Sequence, residues 1–493
     1  MTVTGRAEGP SHERDKLGAL GPGNVFASSV LAAAQELRAA TLEIDAERLP
    51  DLVKAGGHLG RHLWAKSELT ILGCGQALRL PLPAGWATPA HTSLVSEALS
   101  AVHIEDEPAW PGCGPLAIGA LPYDPSSSGH LVVPRVTLAS RPGRAWATVV
   151  LPADEASSAR FERVVAEQLA ELVAPPTSPS AAVLPDRFEL GATMPHEDWK
   201  DLVARAVKAM EGGSLSKVVL ARQVEVVANR PFVLPETLGR LAHLYPSCVV
   251  FQVEGFIGAS PETLLRRTGA QIESHPLAGT VARSGDPETD DVLVAALMSS
   301  AKDRHEHQLV VDEIAAKLRP YAAVEVPAAP SIVPLRNVSH LGTSIKGALY
   351  EGISGGAPDG AGAPGNGHDN GAGATTGLHR GQASGVNRAL PSSLELAAVL
   401  QPTPAVGGLP VDVAIRWQRD NEGFDRGCYA GPVGWVDSNG DGEWALGLRS
   451  AKVWGNRAVM YAGNGIVAGS DPEVELGETQ LKLQALLAAL VRP

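Results

Sequence analysis

Between Trp199 and Arg222 the chain changes its hydrophobic period within a few residues. Trp199, Leu202, Val203, Ala206, Val207 and Met210 recur at i, i+3, i+4, i+7, i+8 and i+11, one face of an amphipathic helix. Gly212-Gly213 ends it, and three residues later SKVVLAR alternates with a period of two. The chain must therefore bury a helical stripe and a strand in direct succession. A second helical pattern, SARFERVVAEQLAELV at 158–173, runs into the Pro/Ser-rich APPTSPSAAVLPD, which fits either a domain boundary or a crossing loop.

Two stretches carry too little apolar surface to repay the entropy of ordering. Residues 1–24 are polar and aperiodic, so a disordered tail is expected there. Residues 351–388 are Gly/Ala-rich with almost no large apolar side chain, which predicts a mobile surface insertion. At 493 residues the chain is long enough for one large domain or several ordinary ones.

The formal charge of -13 argues against a nucleic-acid or anionic-membrane surface. An anionic small substrate would need local cations or a metal. Cys74, Cys113, Cys248 and Cys428 are far apart and show no metal-ligand spacing, which predicts four reduced thiols in a reducing compartment. With no signal peptide and no run long enough to span a bilayer, the expected location is the cytoplasm.

Several short motifs admit both a bland and a chemical reading. In SKVVLAR, Lys217 shares a face with Val219 and Ala221. It is either a snorkelling lysine at a strand end or a desolvated lysine able to act as a base. Ser260-Pro261-Glu262 reads locally as a helix N-cap, while Glu262 would become a general acid if it faced a departing oxygen. Leu277-Ala278-Gly279-Thr280 reads as a turn whose N–H groups suit an anion, or as a structural turn. GCGQALRL, at 73–80, lacks the third glycine of a dinucleotide fingerprint and reads as a tight turn.

If a helix begins at Pro472, Glu475, Glu478 and Lys482 fall at i, i+3 and i+7 and share a face. In SAKDRHEHQLVVDEI, Asp303, Glu306 and Val310 have the same spacing, and the His305/His307 pair lacks the i, i+4 geometry of a zinc protease. Charge at this density usually marks a solvated face. Were the two helices to converge, Glu306 and Glu478 would suit magnesium, which takes few protein carboxylates and keeps water and substrate oxygens.

Taken together, SKVVLAR, GASPETLLRR, HPLAGT, KDRHEHQLVVDEI, VSHLGTSIKG, QPTPAVGG, FDRGCYAGPVGW, ALGLRSA and AGNGIVAGSDPEVELGETQLKL resemble the chorismate-utilising enzymes, the family of anthranilate synthase component I. The resemblance is ordered and most specific over 190–493, with weaker similarity upstream. It implies an α+β fold: a single large domain, 25–493, of two face-packed antiparallel β-sheets surrounded by helices. On this reading the Pro/Ser-rich segment is an internal crossing, and 351–388 is an insertion.

Residue by residue, the resemblance implies that Lys217 activates water for attack at ring carbon 2 of chorismate and that Glu262 protonates the hydroxyl leaving carbon 4. Glu306 and Glu478 would bind Mg2+, with Asp303 and Glu475 as outer neighbours. Arg449 and Tyr429 would hold the enolpyruvyl carboxylate, and Gly279, Thr280, His340, Ala405, Gly463 and Lys482 would line the pocket. Ammonia-using members carry glutamine at the position of Lys217, so water is the implied nucleophile. Members that eliminate pyruvate carry threonine at the position of Ala405, so the implied product is isochorismate, made by a magnesium-dependent isomerase. The alternatives are salicylate formation with loss of pyruvate, and anthranilate or aminodeoxychorismate synthesis, for which no fused glutaminase is recognisable. The expected partner is chorismate alone, on a monomer or weak dimer. Gln401, where histidine is frequent before PTPAV, and Cys428, where a bulkier residue is usual, depart from the pattern.

Overall fold

The structure is a computed structural model that describes residues 22–58, 60–105, 110–173, 183–351 and 390–491. The strand after Gly212-Gly213 runs from Lys217 to Ala228, well beyond its apolar start, and pairs antiparallel with Arg457–Val467 over eleven residues, Lys217 to Val227. Its first six residues are buried on both faces, which is why the alternation there is apolar rather than half-polar.

These two strands belong to a 13-stranded sheet that packs on a nine-stranded one. Between them lies a core of Trp64, Ile71, Trp146 and Phe251 from the first and Ile118, Val433, Trp435 and Ala445 from the second. Among the described residues the strand pairing is antiparallel apart from Leu37–Ile44 with His103–Ile104, which is parallel. A third sheet of three strands, Leu277–Ala282, Val338–Gly342 and Ser331–Pro334, has no counterpart in the expected two-sheet plan.

Helices cover the outer faces. The stripe beginning at Trp199 forms the helix His196–Glu211 and buries Trp199, Leu202, Val203 and Ala206 against Val218, Leu220 and Ile466. Truncating a fully buried leucine such as Leu202 to alanine would cost about 2–5 kcal/mol. The helix Ala301–Leu318 is capped by the Ser300 side chain, which accepts from the Asp303 N–H at 3.2 Å. The apolar C-terminal tail completes a helix from Pro472 to Val491, burying Leu483, Leu486 and Leu490 beside Val226 and Met460.

Two local expectations fail. Ser260-Pro261-Glu262 caps no helix: it links the strand Phe256–Ser260 of the large sheet to Thr263–Thr268 of the second, so proline here starts a crossing. Leu277-Ala278-Gly279-Thr280 is no turn but the start of a bulged strand, with the register slipping between Ala278 and Thr280 and Gly279 at φ 71°. The expected disordered tail 1–24 lies outside the described residues as far as 21, and Pro22 already opens the helix Pro22–Gln35. Of the Gly/Ala-rich stretch 351–388, all but Glu351 lies outside the described residues, as do 174–182 of the Pro/Ser-rich segment.

Candidate active site

The large sheet splits where strand Ser450–Trp454 leaves strand Arg457–Val467. Their last pair is Ala451 with Met460, so one edge of residues 461–467 is left free of that neighbour. A cleft of ≈ 920 Å³, measured out to its open mouth, occupies this gap. Into it come the helix Ala301–Leu318, the C-terminal helix, the bulged strand Leu277–Ala282 and the crossing at Glu262. Glu262, Gly279, Thr280, Asp303, Glu306, His340, Ala405, Tyr429, Arg449, Gly463, Glu475, Glu478 and Lys482 all line it. Segments more than 200 residues apart thus meet as the motif reading expects.

Lys217 is the one expected site residue that does not reach the cleft surface. It is fully buried behind Glu306, its Nζ 2.9 Å from Glu306 Oε1 in a contact of charge rather than an aligned hydrogen bond. The pair passes over Gly465, where an added Cβ would lie 2.4 Å from Glu306 Oε1 and 3.1 Å from Lys217 Cε. Any larger residue at 465 would close that approach.

The C-terminal helix delivers its polar face as the spacing predicts. Lys482 Nζ lies 2.8 Å from Glu478 Oε1 and donates to Gly463 O at 3.0 Å and to Asn464 Oδ1 at 2.9 Å. It therefore serves the backbone that the departed strand left unpaired. Burial acts to raise the Glu478 carboxyl, but Lys482, Asn464 and Thr280 outweigh it and hold the group at about 2. Glu475 is buried, bonded by Asn464 Nδ2 and 3.4 Å from Lys302 Nζ, and burial raises its carboxyl above the ordinary range.

Glu262 behaves in the opposite way. Burial dominates and pushes its carboxyl up to about 8, despite the Leu277 N–H and the fields of Lys217, Lys482 and Arg449. It stays protonated at neutral pH, in a cleft where Glu306, Glu475 and Glu478 each sit against a lysine. Such a group can give a proton away.

At the other end of the cleft, Arg449 adopts a left-handed φ of 48°. Its Nη2 donates to His340 Nε2 at 3.1 Å, so that nitrogen accepts and the ring proton belongs on Nδ1, which lies 3.1 Å from Gly279 O. Burial, with Arg449 and Lys482, lowers the His340 imidazole to about 3, which fixes it as neutral. Arg449 Nη1 is buried and has no partner, a donor held ready for an anion. Tyr429 lies beside it, stacked on Tyr461 with ring centroids 5.0 Å apart, and its hydroxyl would lie 2.8 Å from a Cβ at Gly463.

The donor set can be tested for the metal that the motif resemblance implies. Among the described residues no group of three or more histidine, cysteine, aspartate or glutamate side chains could hold a metal ion. Glu306 and Glu478 nevertheless both line the cleft and offer hard oxygen donors. That set fits magnesium completed by water and substrate oxygens rather than a metal caged by protein alone.

The sequence reading missed Tyr461, Gly465, Asn464, Lys302 and Arg426, all of which line the cleft. The period of two that puts Gly463 on the cleft face puts Tyr461 and Gly465 there as well, so those two were within reach. Lys302 and Arg426 carry no such signal. All four cysteines are unbonded, and Cys428 Sγ lies 3.5 Å from Ala120 O. Among the described residues no helix is long and apolar enough to cross a membrane.

The sheets, the crossing at Glu262 and the cleft define a chorismate-binding architecture. A family model described as chorismate binding enzyme matches residues 33–355 and 383–491, and the chain belongs to that family. Isochorismate synthase DhbC of Bacillus subtilis (strain 168) is 34% identical over 390 residues, covering 76% of this chain and 81% of that protein. Isochorismate synthase EntC of Escherichia coli (strain K12) is 30% identical over 379 residues, covering 76% and 80%. The structure of MenF, the menaquinone-specific isochorismate synthase of Escherichia coli, superposes with a TM-score of 0.69 at 25% identity, covering 95% of this chain and 99% of that one.

Proposed function

We propose that the protein is an isochorismate synthase, an isomerase that converts chorismate to isochorismate. The observation that carries this reading is Glu262, a carboxyl held protonated to about pH 8 inside the cleft that also receives Glu306 and the buried Lys217 behind it. In the proposed reaction a water oxygen bonds to ring carbon 2 and gives its proton to Lys217 acting as the neutral amine. The ring double bonds shift, the carbon 4 hydroxyl departs, and Glu262 supplies the proton with which it leaves as water. One water enters and one leaves, so substrate and product are isomers.

Arg449 Nη1 and Tyr429 would take the enolpyruvyl carboxylate, and His340, neutral and bonded to Arg449, would keep the guanidinium turned toward it. Gly279, Thr280, Gly463 and Lys482 would shape the pocket around the ring. Ala405 in its wall, where pyruvate-eliminating members carry threonine, supports a reaction that stops at isochorismate. Glu306 and Glu478 would hold magnesium, with Asp303 and Glu475 beside them, and when bound the ion would neutralise the ring carboxylate. We further propose that the enzyme acts in the cytoplasm as a monomer or weak dimer, and that 351–388 is a mobile insertion in one domain spanning 25–493.

The test is to incubate the protein with chorismate, with and without magnesium, and to separate the products by chromatography. Magnesium-dependent isochorismate without salicylate is expected. Salicylate with equimolar pyruvate would transfer the protein to the eliminating members, and an ammonia-dependent aromatic amine would make it an anthranilate or aminodeoxychorismate synthase.

A further inference from the structure

One edge of the strand Lys217–Ala228 is incomplete. Leu409 and Gly408 pair with Lys217 and Val218, and Phe188–Ala192 pairs from Val224 onward. Residues 219–223 have no paired strand on that side: the Val219 N–H still donates to Gly407 O at 2.8 Å and the Thr193 N–H to Gln223 O at 3.3 Å, and between those two bonds side chains take its place. Gln418 Nε2 donates to Val219 O at 2.8 Å, Arg426 Nη2 donates to the same oxygen at 2.7 Å, and the Ala221 N–H donates to Glu422 Oε1 at 2.8 Å. Gln418, Glu422 and Arg426 are spaced four residues apart, and the first two share a face of the helix Val411–Asn421 and its C-cap.

Two of these side chains also grip the wall that contains Ala405. Gln418 Nε2 donates to Gly407 O at 2.7 Å and Arg426 Nη1 to Val406 O at 3.0 Å. Glu422 receives Arg426 through two bonds of 2.8 and 2.5 Å, a bidentate pair almost wholly withdrawn from solvent. The Arg426 guanidinium lies 4.5 Å from the Tyr123 ring centroid and 6.0 Å from that of Tyr429. Tyr123 closes the network by donating its hydroxyl to Gln418 Oε1 at 2.7 Å.

The strand-side bonds all fall on Val219 and Ala221, two and four residues after Lys217. The wall-side bonds all fall on the two residues after Ala405. A buried network of this kind is fully made or costly to break, because each partner removed strands another polar group away from water. Together with the pairing of Gly408 and Leu409 to the start of the strand and the Val219 N–H to Gly407 O bond, its geometry therefore sets the separation between the strand that holds Lys217 and the wall that holds Ala405.

We propose that Gln418, Glu422 and Arg426 are positioning residues for the reaction: they replace the strand partner missing at Val219 O and Ala221 N–H and keep the strand of Lys217 and the wall of Ala405 in register. This deepens the reading of the cleft as isochorismate-forming and rests on it. Arg426→Lys keeps a cation beside Glu422 but loses the planar fork that reaches two carbonyls as well. Because a misplacement of about 1 Å costs on the order of 10²-fold in rate, kcat is expected to fall roughly 10- to 100-fold while KM stays within about threefold. Tyr123→Phe leaves the carbonyl contacts of Gln418 and Arg426 in place but removes the hydroxyl's own 3.4 Å bond to Val406 O and frees the Gln418 amide to turn, and kcat should fall about threefold with KM unchanged.

Both variants are assayed for isochorismate formation with kcat expressed per folded molecule, the folded fraction coming from circular dichroism and thermal unfolding. A merely structural role would lower the melting temperature and leave both kinetic constants of the folded fraction at wild-type values, which overturns the proposal. A loss confined to KM overturns it as well. If Arg426→Lys does not fold, Tyr123→Phe decides by the same criteria. Wild-type protein that makes no isochorismate in this assay brings down the underlying reading and the positioning role with it, whereas active wild type with unaltered variants brings down the positioning role alone.

Discussion

The two ends of the cleft solve opposite electrostatic problems. At the end formed by Lys217, Glu306, Glu478 and Lys482, each carboxylate sits against a lysine nitrogen, so that every polar group is balanced by one within the protein. At the end formed by Arg449, His340 and Tyr429 there is a guanidinium whose bonded neighbour is a neutral imidazole and whose Nη1 has no partner. A cation left uncompensated in a buried site is costly unless an anion arrives. The balanced end is arranged to move protons, and the unbalanced end is arranged to bind. Between them stands Glu262, kept neutral by burial and not drawn into either set of ion pairs.

This contrast can be broken by mutation. The largest effect is expected for Lys217→Ala, which should lower kcat by at least about 10³-fold, within the range for removal of a general base, while calorimetry shows chorismate binding in magnesium largely retained. Undiminished turnover would remove Lys217 from the chemistry. Arg449→Ala should show the converse emphasis, raising KM roughly 10- to 100-fold because a charge-assisted bond to a carboxylate contributes about 1.5–3 kcal/mol. Steady-state kinetics of the two variants side by side tests whether the ends divide the work.

Glu262 gives the contrast a pH axis. Its folded value of about 8 lies above the ordinary 4.5. The protonated acid is present below about 8, so kcat should fall as pH rises through that value. Linkage runs in the same direction: the stability contributed by the neutral form is whole below 4.5 and is lost as pH rises toward about 8. Glu262→Gln should therefore lower kcat by about 10²- to 10⁴-fold and abolish the alkaline limb of the rate profile. The same variant should melt higher than wild type at pH 8 and show no such advantage at pH 4. Equal melting differences at both pH values would mean that the carboxyl is not held neutral. The smallest effect is expected from deleting residues 355–385, whose Gly/Ala-rich composition lacks anchoring side chains; specific activity should stay near wild type.

The elements that were legible in the sequence are those in which one short period does the work. The Trp199 stripe, the Lys217 strand and the shared face of Glu475, Glu478 and Lys482 each follow from spacing within a single element. The same logic reaches Tyr461 and Gly465. Glu262 shows where it stops: serine, proline and glutamate are equally good at starting a helix and at leaving a strand, and only the arrival of a second sheet decides between them. Leu277-Ala278-Gly279-Thr280 likewise became a bulged strand because Val338–Gly342 lies beside it.

The sequence by itself determined many of the chemical groups that line the cleft, through nine ordered motifs, and the helices that present Glu306, Glu478 and Lys482. Tertiary structure alone decided what those groups are. Glu262 and Glu478 have the same side chain, yet one is held at about 8 and the other at about 2. Desolvation and neighbouring charge depend on what the fold brings within a few ångströms, and that proximity is not a property of any local stretch of chain. For the same reason Gln418, Glu422 and Arg426 look in sequence like polar groups on a helix face. They are buried only because the strand beside them has a gap.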